Sequence, residues 1–510
     1  MRTEDRETAA ADERGSVSCP VCSHDVPRGW LLLAYSALSV IVMSVAFWSV
    51  LDYAANASVS ALQPLALVLL FLLGWFFFRL CRVFSSDAAS MFLLIAVPAV
   101  SAFGLFILPG WVPDEQVHLA QAFSLFGRHD GAWRIPSALA SEDVMPGTYR
   151  DAYRLLAQSD TWGSLSTFSR FLSGYYDHLY ALPALIVTVC RSLGVNAYLA
   201  CFACRIANGL LFIACGYWMI RVMPFGKTAL FVFLLNPMLV QQEASFSADC
   251  VANIVSLAFV VYFIAVFCSK AISRRQVLVL IALGVLVLVS KYMFAPLLLL
   301  PLLFLKRRFD GRTCLKIYIG LFALMMLMAG AVVILYHGSF MADAFELMRS
   351  PKAFLRIMLN TFFIMVPTWM RWYFGSNLGR LSIGLWEPAL WAYAIMQFVV
   401  LFYNDEDNER IFDAVDKTVV CALCFINFVL IILTMRGWTL TVDKVTDYIM
   451  GVQGRYLFPL GLLLILCVLK PNKKMAQGGV LAVTARLLAA CYVMNMLCVL
   501  ASFGAAIFPL

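Results

Sequence analysis

Long apolar stretches recur along most of this 510-residue chain and leave few folds open to it. The first, GWLLLAYSALSVIVMSVAFW at residues 29–48, carries no charged residue and is long enough to cross a hydrocarbon core of about 30 Å. Hydrophobic residues make up 62% of the chain and charged residues 13%, whereas soluble globular domains are roughly 45–50% apolar. The sequence therefore predicts an all-α, polytopic integral membrane helix bundle with about 12–14 transmembrane helices.

The polar segments between the apolar stretches divide the chain into four regions. Two of these segments are long: residues 113–177 after the third predicted helix, and residues 337–381, whose charges at helical spacing predict an amphipathic or re-entrant element. The predicted regions are a disordered cytoplasmic tail at 1–28, two additional N-terminal transmembrane helices at 29–85, a transmembrane core at 86–470 and a C-terminal loop with the last transmembrane helix at 471–510.

The basic residues orient the bundle, because lysine and arginine are enriched in the short cytoplasmic loops of membrane proteins. The clusters that fall on one side are Arg79 and Arg82, Lys270 with Arg274 and Arg275, Lys306 to Arg312, and Lys470 with Lys473 and Lys474. With that side cytoplasmic, segment 113–177 becomes a long external loop, and Asp249, Lys291 and Arg455 lie near the outer face. The topology of 178–227 stays open, because two full crossings there would not leave all of its basic residues in the cytoplasm.

The charge and the cysteines support no other class of protein. The net charge of +8 comes from the loop clusters and calls for no nucleic-acid partner. Most of the 15 cysteines lie in apolar stretches, where cysteine behaves as a small hydrophobic residue, so no disulfide framework is expected. Cys19, Cys22 and His24 have the spacing of zinc ligands but lack a fourth ligand, and a plain polar tail is the expected interpretation.

A polar motif follows the third apolar stretch directly, in FGLFILPGWVPDEQVHLAQAF at residues 103–123. Proline and acidic residues are ordinary at the start of a helix, where carboxylates favour the positive end of the helix dipole. Asp114 and His118 are four residues apart and would share one helix face. A carboxylate beside an imidazole at the membrane edge can accept a proton from a bound hydroxyl group, and Asp114 with Glu115 could hold a divalent cation.

Four further charged residues are isolated in apolar surroundings. Asp249 opens an apolar stretch, where it could cap a helix or form a second acidic site. Lys291, Arg205 and Arg455 stand apart from the basic clusters. Two interpretations of these three cations remain open: ion pairing with an internal acid, or binding of a phosphate group.

Aromatic and charged residues alternate with glycines in RWYFGSNLGRLSIGLWEP at residues 371–388. An aromatic belt at the membrane interface would explain this composition. The functional alternative is a platform for a sugar or lipid head group, because aromatic faces stack on sugars and glycines allow close approach of the backbone. The candidate platform residues are Arg371, Trp372, Arg380, Trp386 and Glu387.

Five blocks of sequence, in this order, resemble a bacterial family of polytopic membrane proteins of unknown function that looks like the GT-C class of glycosyltransferases. The blocks are VPDEQVHLAQAF, RIANGLLFIACGYWMIRVMPFGKTALFVFLLNPMLVQQEASFSAD, KYMFAPLLLLPLLF, YFGSNLGRLSIGLWEP and GVQGRYLFPL. The resemblance covers about residues 89–470. The chain departs from it in reading DEQVH where the family pattern is DEPAH, and it lacks the large C-terminal soluble domain of some members of the class.

The GT-C resemblance implies roles for the candidate residues. Asp114 with Glu115 and His118 would activate an acceptor hydroxyl, Asp249 would be a second acid, and a divalent cation such as Mg²⁺ or Mn²⁺ is an optional cofactor. Lys291, Arg205 and Arg455 would then bind the donor phosphate.

The expected function is transfer of a sugar from a polyprenyl-phosphate donor to a cell-envelope glycan or glycolipid acceptor. It would occur at the outer face of the bacterial cytoplasmic membrane, in contact with membrane lipid and with no nucleic acid. Two alternatives remain. One is a transporter or flippase for a lipid-linked saccharide, although the sequence shows no internal repeat. The other is a structural partner in which the charges only pair with each other.

Overall fold

The computed structural model describes residues 28–126, 133–139, 146–159, 161–163, 165–168, 176–307, 316, 320, 339–402, 412–469 and 479–504. Over these residues the protein is an all-α polytopic bundle, which confirms the predicted fold class. Among the described residues, eight helices are long and apolar enough to cross a membrane. Some predictions lie outside the described residues: the Cys19, Cys22 and His24 motif, most of the apolar stretch 314–336, and the basic cluster at 470–474.

The N-terminal half of the described chain carries eleven helices and one small antiparallel sheet. The helices are α1 (Arg28–Asn56), α2 (Leu62–Val83), α3 (Ala88–Phe106), α4 (Glu115–Ser124), α5 (Tyr149–Leu156), α6 (Ala181–Ser192), α7 (Ala197–Val222), α8 (Lys227–Leu234), α9 (Pro237–Glu243), α10 (Ala248–Cys268) and α11 (Arg274–Ser290). Strands β1 (Trp133–Pro136) and β2 (Leu165–Phe168) pair in antiparallel fashion, and short 3₁₀ turns occupy Ser137–Leu139 and Asp177–Tyr180.

The C-terminal half begins with a 3₁₀ helix at Tyr292–Arg307, which contains two prolines. The helices that follow are α12 (Ser339–Arg349), α13 (Pro351–Tyr373), α14 (Glu387–Val399), α15 (Ala414–Thr434), α16 (Arg436–Trp438), α17 (Phe458–Val468) and α18 (Val480–Gly504). Strands β3 (Asn377–Leu378) and β4 (Ile383–Gly384) form a second hairpin. Turns at Val400–Phe402 and Gly454–Leu457 are 3₁₀ and Thr439–Asp443 is a π turn.

The centre of the bundle is built on α3 and α10. Both are buried along most of their length, whereas α1, α2 and α13 expose most of theirs. Helix α3 packs against α1, α7 and α18, and α10 packs against α7, α11 and α17. Side chains from these helices belong to one continuous apolar cluster. In the membrane, the outward faces of the peripheral helices would meet lipid, so they need no protein cover.

Several predicted transmembrane stretches are shorter or interrupted. The stretch 228–243 splits into α8 and α9, because Asn236 caps α9 with its side-chain oxygen and Pro237 follows at the first helical position. The stretch 292–305 is a 3₁₀ helix, where Pro296 and Pro301 lack the N–H groups that a regular α-helix needs. Helix breaks inside a membrane bundle free backbone polar groups, which must find partners within the protein.

The two long polar segments are partly ordered. Segment 113–177 contains α4, α5 and the β1–β2 hairpin, with α4 packed on β1. Segment 337–381 contains α12, α13 and β3, and the 23-residue α13 is long and apolar enough to span the bilayer. The external placement of both segments stays a prediction.

Candidate functional site

The ends of three helices and one 3₁₀ turn meet at one place in the bundle. Asp114 precedes α4, Asp249 lies in the first turn of α10, Lys291 follows the last residue of α11, and Arg455 belongs to the turn Gly454–Leu457. Ion pairs join the four side chains. The structure thus brings together four of the seven residues that the sequence predicted as catalytic, acidic or phosphate-binding.

The buried part of this site is a carboxylate held between two cations. Arg455 Nε lies 2.7 Å from Asp249 Oδ2, and Lys291 Nζ contacts the other oxygen, Oδ1. The three side chains are 1%, 0% and 6% exposed in the order Arg455, Asp249 and Lys291. Removing one partner of such a buried group leaves an uncompensated charge, so the three depend on one another for stability.

Asp114 is the accessible end of the same network. Its Oδ2 accepts a hydrogen bond of 2.9 Å from Arg455 Nη2, and its side chain is 43% exposed. The residue stands at the N-cap position of α4 in the left-handed region, at φ 60°, and its side chain makes no capping hydrogen bond. Asp114 thus stands at the start of a helix, as its sequence context indicates, but its side chain pairs with Arg455 and does not cap the helix. A left-handed, non-glycine residue carries a backbone cost that is common at functional sites.

Glu115 and Arg205 form a second buried pair, separate from the first. Arg205 Nε and Nη2 lie 2.7 Å and 2.5 Å from the two oxygens of Glu115, and both side chains are fully buried. The remaining guanidinium hydrogens go to the carbonyl oxygens of Gly104, Ile107 and Leu108, and Glu115 also accepts from the backbone N–H groups of Gly110, Val112 and Phe246.

This second pair uses the full hydrogen-bonding capacity of the guanidinium group, which has five N–H donors. Of the two interpretations left open for Arg205, the structure therefore shows ion pairing with an internal acid. Glu115 and Arg205 together fix the turn after α3 to α7 and to the segment before α10, and so they position Asp114.

His118 faces the interior of the protein. Its Nδ1 lies 2.6 Å from Tyr180 Oη, its Nε2 lies 3.3 Å from Ser247 Oγ, and the residue is completely buried. Burial lowers the pKa of His118 to about 4, although the carboxylates of Asp114, Asp249 and Glu115 act in the opposite direction. The imidazole is neutral at neutral pH. Its position favours a role in joining α4 to the segments around it.

The lowered pKa of His118 makes stability depend on pH. A histidine with an ordinary pKa near 6.5 in the unfolded chain and about 4 in the folded protein stabilises the fold above pH 6.5, and this contribution is lost as the pH falls towards 4. We expect wild type to lose roughly 2 kcal/mol relative to His118→Gln between pH 7.5 and pH 4.5. Unfolding midpoints of both proteins across this range measure the difference. Parallel curves would contradict it.

The predicted platform residues divide into two groups. Arg371 and Glu387 form an ion pair at the surface, where each side chain is about half exposed, and Trp386 beside them is 53% exposed. Arg380 lies deeper: its Nε donates to the carbonyl of Gly110 at 2.8 Å, and its guanidinium stands over the ring of Trp111. Trp372 is partly buried against the core.

The β3–β4 hairpin is therefore attached to the turn before Asp114 through Arg380. An exposed ion pair such as Arg371–Glu387 contributes little to the stability of the fold.

Tyr456 is a site residue that the sequence analysis did not single out. Its ring lies 4.2 Å from Lys291 Nζ and 5.2 Å from Arg455 Cζ, and its hydroxyl lies 3.3 Å from Arg455 Nη2. The face of an aromatic ring attracts cations, and one ring here serves both. The signal was available in the sequence, because Tyr456 directly follows the isolated Arg455.

Gly454 allows the turn that carries Arg455 to approach α13. A Cβ atom at this position would lie 2.3 Å from the backbone nitrogen of Tyr373 and 2.6 Å from the carbonyl carbon of Trp372. Backbone atoms cannot move aside as a flexible side chain can. The absence of a side chain at position 454 is thus a condition for placing Arg455.

Substitution of this glycine should be costly. We expect Gly454→Ala to lower the free energy of unfolding by about 1–3 kcal/mol, the usual cost of overpacking a tight site. Gly74→Ala is the matched control, because no atom of the described residues outside its own helical turn lies within 4 Å of its added Cβ, and alanine favours the helix. Thermal unfolding midpoints compare the two. A Gly454→Ala protein as stable as the Gly74→Ala protein would show that the turn can shift.

An apolar pocket of about 430 Å³ begins next to this turn. It lies between α13, α14, α15 and α17, and Tyr373, Phe425, Leu457, Leu460 and Leu464 are among the residues that line it. Phe425 and Leu464 are also exposed on the outside of the bundle. The segment that carries Arg455 at the charged site therefore carries Leu457 at the apolar pocket.

The candidate metal ligands do not converge. Over the described residues no group of three or more histidine, cysteine, aspartate or glutamate side chains is positioned to hold a metal ion. Asp114 points to Arg455, whereas both oxygens of Glu115 are engaged by Arg205 and backbone N–H groups. The geometry does not favour a divalent cation shared by Asp114 and Glu115. The twelve described cysteines are all free thiols.

Comparison with known proteins adds the family. No curated protein and no solved structure matches this chain significantly. One family model, described as predicted membrane protein (DUF2142), matches residues 98–464. This range includes α4, the four charged residues of the site, the β3–β4 hairpin and most of α17. The match covers well over half of the chain, and the protein therefore belongs to the DUF2142 family of predicted membrane proteins.

Proposed function

We propose that the protein is a membrane glycosyltransferase that moves a sugar from a polyprenyl-phosphate donor to a cell-envelope glycan or glycolipid. The observation that carries this proposal is the network Asp114–Arg455–Asp249–Lys291. It joins one accessible carboxylate to two buried cations beside an apolar pocket. An acid, a pair of cations and an apolar cavity for part of a lipid tail are the parts that sugar transfer from a lipid phosphate requires.

Each part has a place in the reaction. The Asp114 carboxylate takes the proton of the acceptor hydroxyl while the hydroxyl oxygen forms a bond to the anomeric carbon of the sugar. The bond between that carbon and the phosphate oxygen breaks, and its electrons leave with the lipid phosphate. Lys291 and Arg455 stabilise the negative charge that grows there. Lys291 has three N–H donors, so contact with Asp249 leaves it capacity for a phosphate oxygen.

The apolar pocket supports a lipid donor. Its lining is mainly aliphatic and aromatic, with Gln397 as a polar member, and the exposed faces of Phe425 and Leu464 would open towards the bilayer. An isoprenoid tail bound in this pocket would hold its phosphate near the turn Gly454–Leu457. The exposed Trp386, with the Arg371–Glu387 pair, remains a candidate sugar platform.

The helix lengths support a site on the external side of the bacterial cytoplasmic membrane. Helix α10 has 21 residues, which is about 32 Å, and it carries Asp249 at one end and leads to Lys270 at the other. Helix α11 returns from Arg274 and Arg275 and ends at Lys291. The charged site therefore lies at the end of this hairpin opposite to its basic cluster, which the positive-inside rule assigns to the cytoplasm.

One observation favours the second candidate, a transporter or flippase of a lipid-linked saccharide. The chain from α8 to α10 is broken twice, at residues 235–236 and at 244–247. Discontinuous helices around buried charges are common in transporters. In that case the network of Asp114, Asp249, Lys291 and Arg455 would gate a pathway.

The two candidates differ in a direct assay. The purified protein in lipid vesicles is given a panel of radiolabelled polyprenyl-phosphate sugars together with extracted cell-envelope glycans and glycolipids. We expect label to move from the lipid to one acceptor with repeated turnover. Movement of the intact labelled lipid between leaflets, with no new glycosidic product, would instead establish the flippase. If the protein shows no transfer, no movement of the lipid and no saturable binding, both candidate functions are ruled out.

A further inference from the structure

A second polar cluster lies inside the bundle and takes no part in the proposed reaction. Its centre is Glu243, the last residue of α9, which is fully buried. Asn253 Nδ2 donates to Glu243 Oε1 at 3.2 Å, and the Cys250 thiol lies between the backbone oxygens of Glu243 and Asn208. Asn208 Nδ2 in turn donates to the carbonyl of Ser245 at 2.7 Å. These contacts place the end of α9, the start of α10 and α7 around one small volume.

The charge of Glu243 is not balanced in the way that its neighbours are. Glu115 is paired with Arg205, and Asp114 and Asp249 together face two cations, so both groups are neutral. Over the described residues Glu243 forms no ion pair, and its Oε2 has no hydrogen-bond partner. Burying a charged carboxylate without a compensating positive charge costs several kcal/mol, because the ion loses its hydration.

Several neutral oxygens near Glu243 also lack partners. Over the described residues no hydrogen bond reaches Asn208 Oδ1, Asn253 Oδ1 or Ser256 Oγ, and all three residues are buried. Ser256 follows Asn253 by three positions and lies on the same face of α10. Native proteins satisfy most buried polar atoms, so a concentration of unsatisfied oxygens in one place points to a ligand.

We propose that Glu243, with Asn208, Asn253 and neighbouring oxygens, binds a small monovalent cation such as sodium. Carboxylate, amide, hydroxyl and carbonyl oxygens are the ligands of hard cations. One positive charge neutralises Glu243, whereas a divalent ion would leave a net positive charge in an apolar interior. Broken helices whose unwound segments carry such oxygens are where membrane transporters bind sodium or protons. A proton on Glu243 would satisfy one of these four oxygens, whereas a cation can contact several.

The experiment uses the full-length protein in detergent or lipid discs, and sodium ions are the probe. The thermal unfolding midpoint is measured during a sodium chloride titration, with choline chloride replacing it so that ionic strength stays constant. A ligand that binds only the folded protein raises its stability until the site saturates. We expect the wild-type midpoint to rise and level off, and radioactive sodium to bind at close to one ion per chain.

Two variants and one control make the result specific. Glu243→Gln should fold in choline chloride at least as well as wild type and lose the response to sodium. Asn253→Ala keeps the carboxylate and should need about tenfold more sodium for half of the shift. The control, Asn427→Ser, alters another buried amide with an unsatisfied oxygen, and it should respond to sodium as wild type does.

Three outcomes would overturn the cation site. A wild-type midpoint that ignores sodium, potassium and lithium would do so, as would an equal sodium response in wild type and Glu243→Gln. A midpoint that follows pH alone and becomes pH-independent in Glu243→Gln would show that Glu243 carries a proton. The measurement needs no sugar donor, so its result is independent of the proposed transferase activity.

Discussion

Asp114→Asn is expected to lower the rate of sugar transfer by about 10²–10⁴-fold, the usual contribution of a general base. Asparagine keeps the size and the hydrogen-bond acceptor that face Arg455, and it tolerates the left-handed backbone at this position. The change removes the negative charge of the side chain and with it the ability to take up a proton. The substitution also takes a negative charge away from the buried Arg455, so we expect a stability loss of about 1–2 kcal/mol, which is smaller than for Asp249→Asn because Asp114 is 43% exposed and water screens it.

The matched control for this change is Asp447→Asn. Asp447 is more exposed than Asp114 and contacts only the surface residue Arg356 among ion-pair partners in the described chain. Its substitution should leave both the transfer rate and the unfolding midpoint as in wild type. The radiolabel assay measures all three proteins under the same conditions. An Asp114→Asn protein that transfers sugar at the wild-type rate would remove Asp114 from the chemistry.

Asp249→Asn is expected to have the largest effect on stability. It leaves two buried cations, Lys291 and Arg455, facing only the half-exposed Asp114. Loss of one partner from a buried ion group typically costs 3–5 kcal/mol, so we expect a loss of about 4 kcal/mol and a large fall in the unfolding midpoint. Unfolding followed by tryptophan fluorescence in lipid or detergent measures it.

A double variant separates the structural role of this network from its functional role. Asp249→Asn combined with Lys291→Met removes one charge of each sign, so most of the lost stability should return. Binding and transfer of the lipid-phosphate sugar should stay low, because the phosphate has lost a cation. If the double variant recovers activity along with stability, the network serves only to hold the fold, and the assignment of Lys291 to the donor phosphate fails.

The sequence predicts most of the charged residues of the site, but it does not predict which of them pair with each other. Asp249, Lys291 and Arg455 stand out because isolated charges in apolar stretches are expensive. Arg205 stands out by the same criterion, yet it pairs with Glu115, which is 90 positions away in the chain. His118 has the spacing to share a face with Asp114, yet its side chain is directed to Tyr180 and Ser247. Sequence spacing fixes neighbours within a helix and does not fix which helix ends meet.

Glu243 illustrates the same limit within one short polar run. The polar run QQEASFSAD marks a break between apolar stretches, and the structure has that break between α9 and α10. Nothing in the run distinguishes Asp249, which faces two cations, from Glu243, which accepts a hydrogen bond from the side-chain amide of Asn253. The difference arises because α11 and the turn Gly454–Leu457 reach one acid and not the other.

The sequence by itself determined that this is a helical membrane protein, since long apolar stretches have a favourable environment only in the bilayer and must satisfy their backbone hydrogen bonds internally. It also determined which residues would be costly to bury. The tertiary structure decided how those costs are offset: Arg205 by Glu115, Lys291 and Arg455 by Asp249 and Asp114. Charge compensation acts over a few ångströms between residues far apart in the chain, and only the packing of the helices sets those distances.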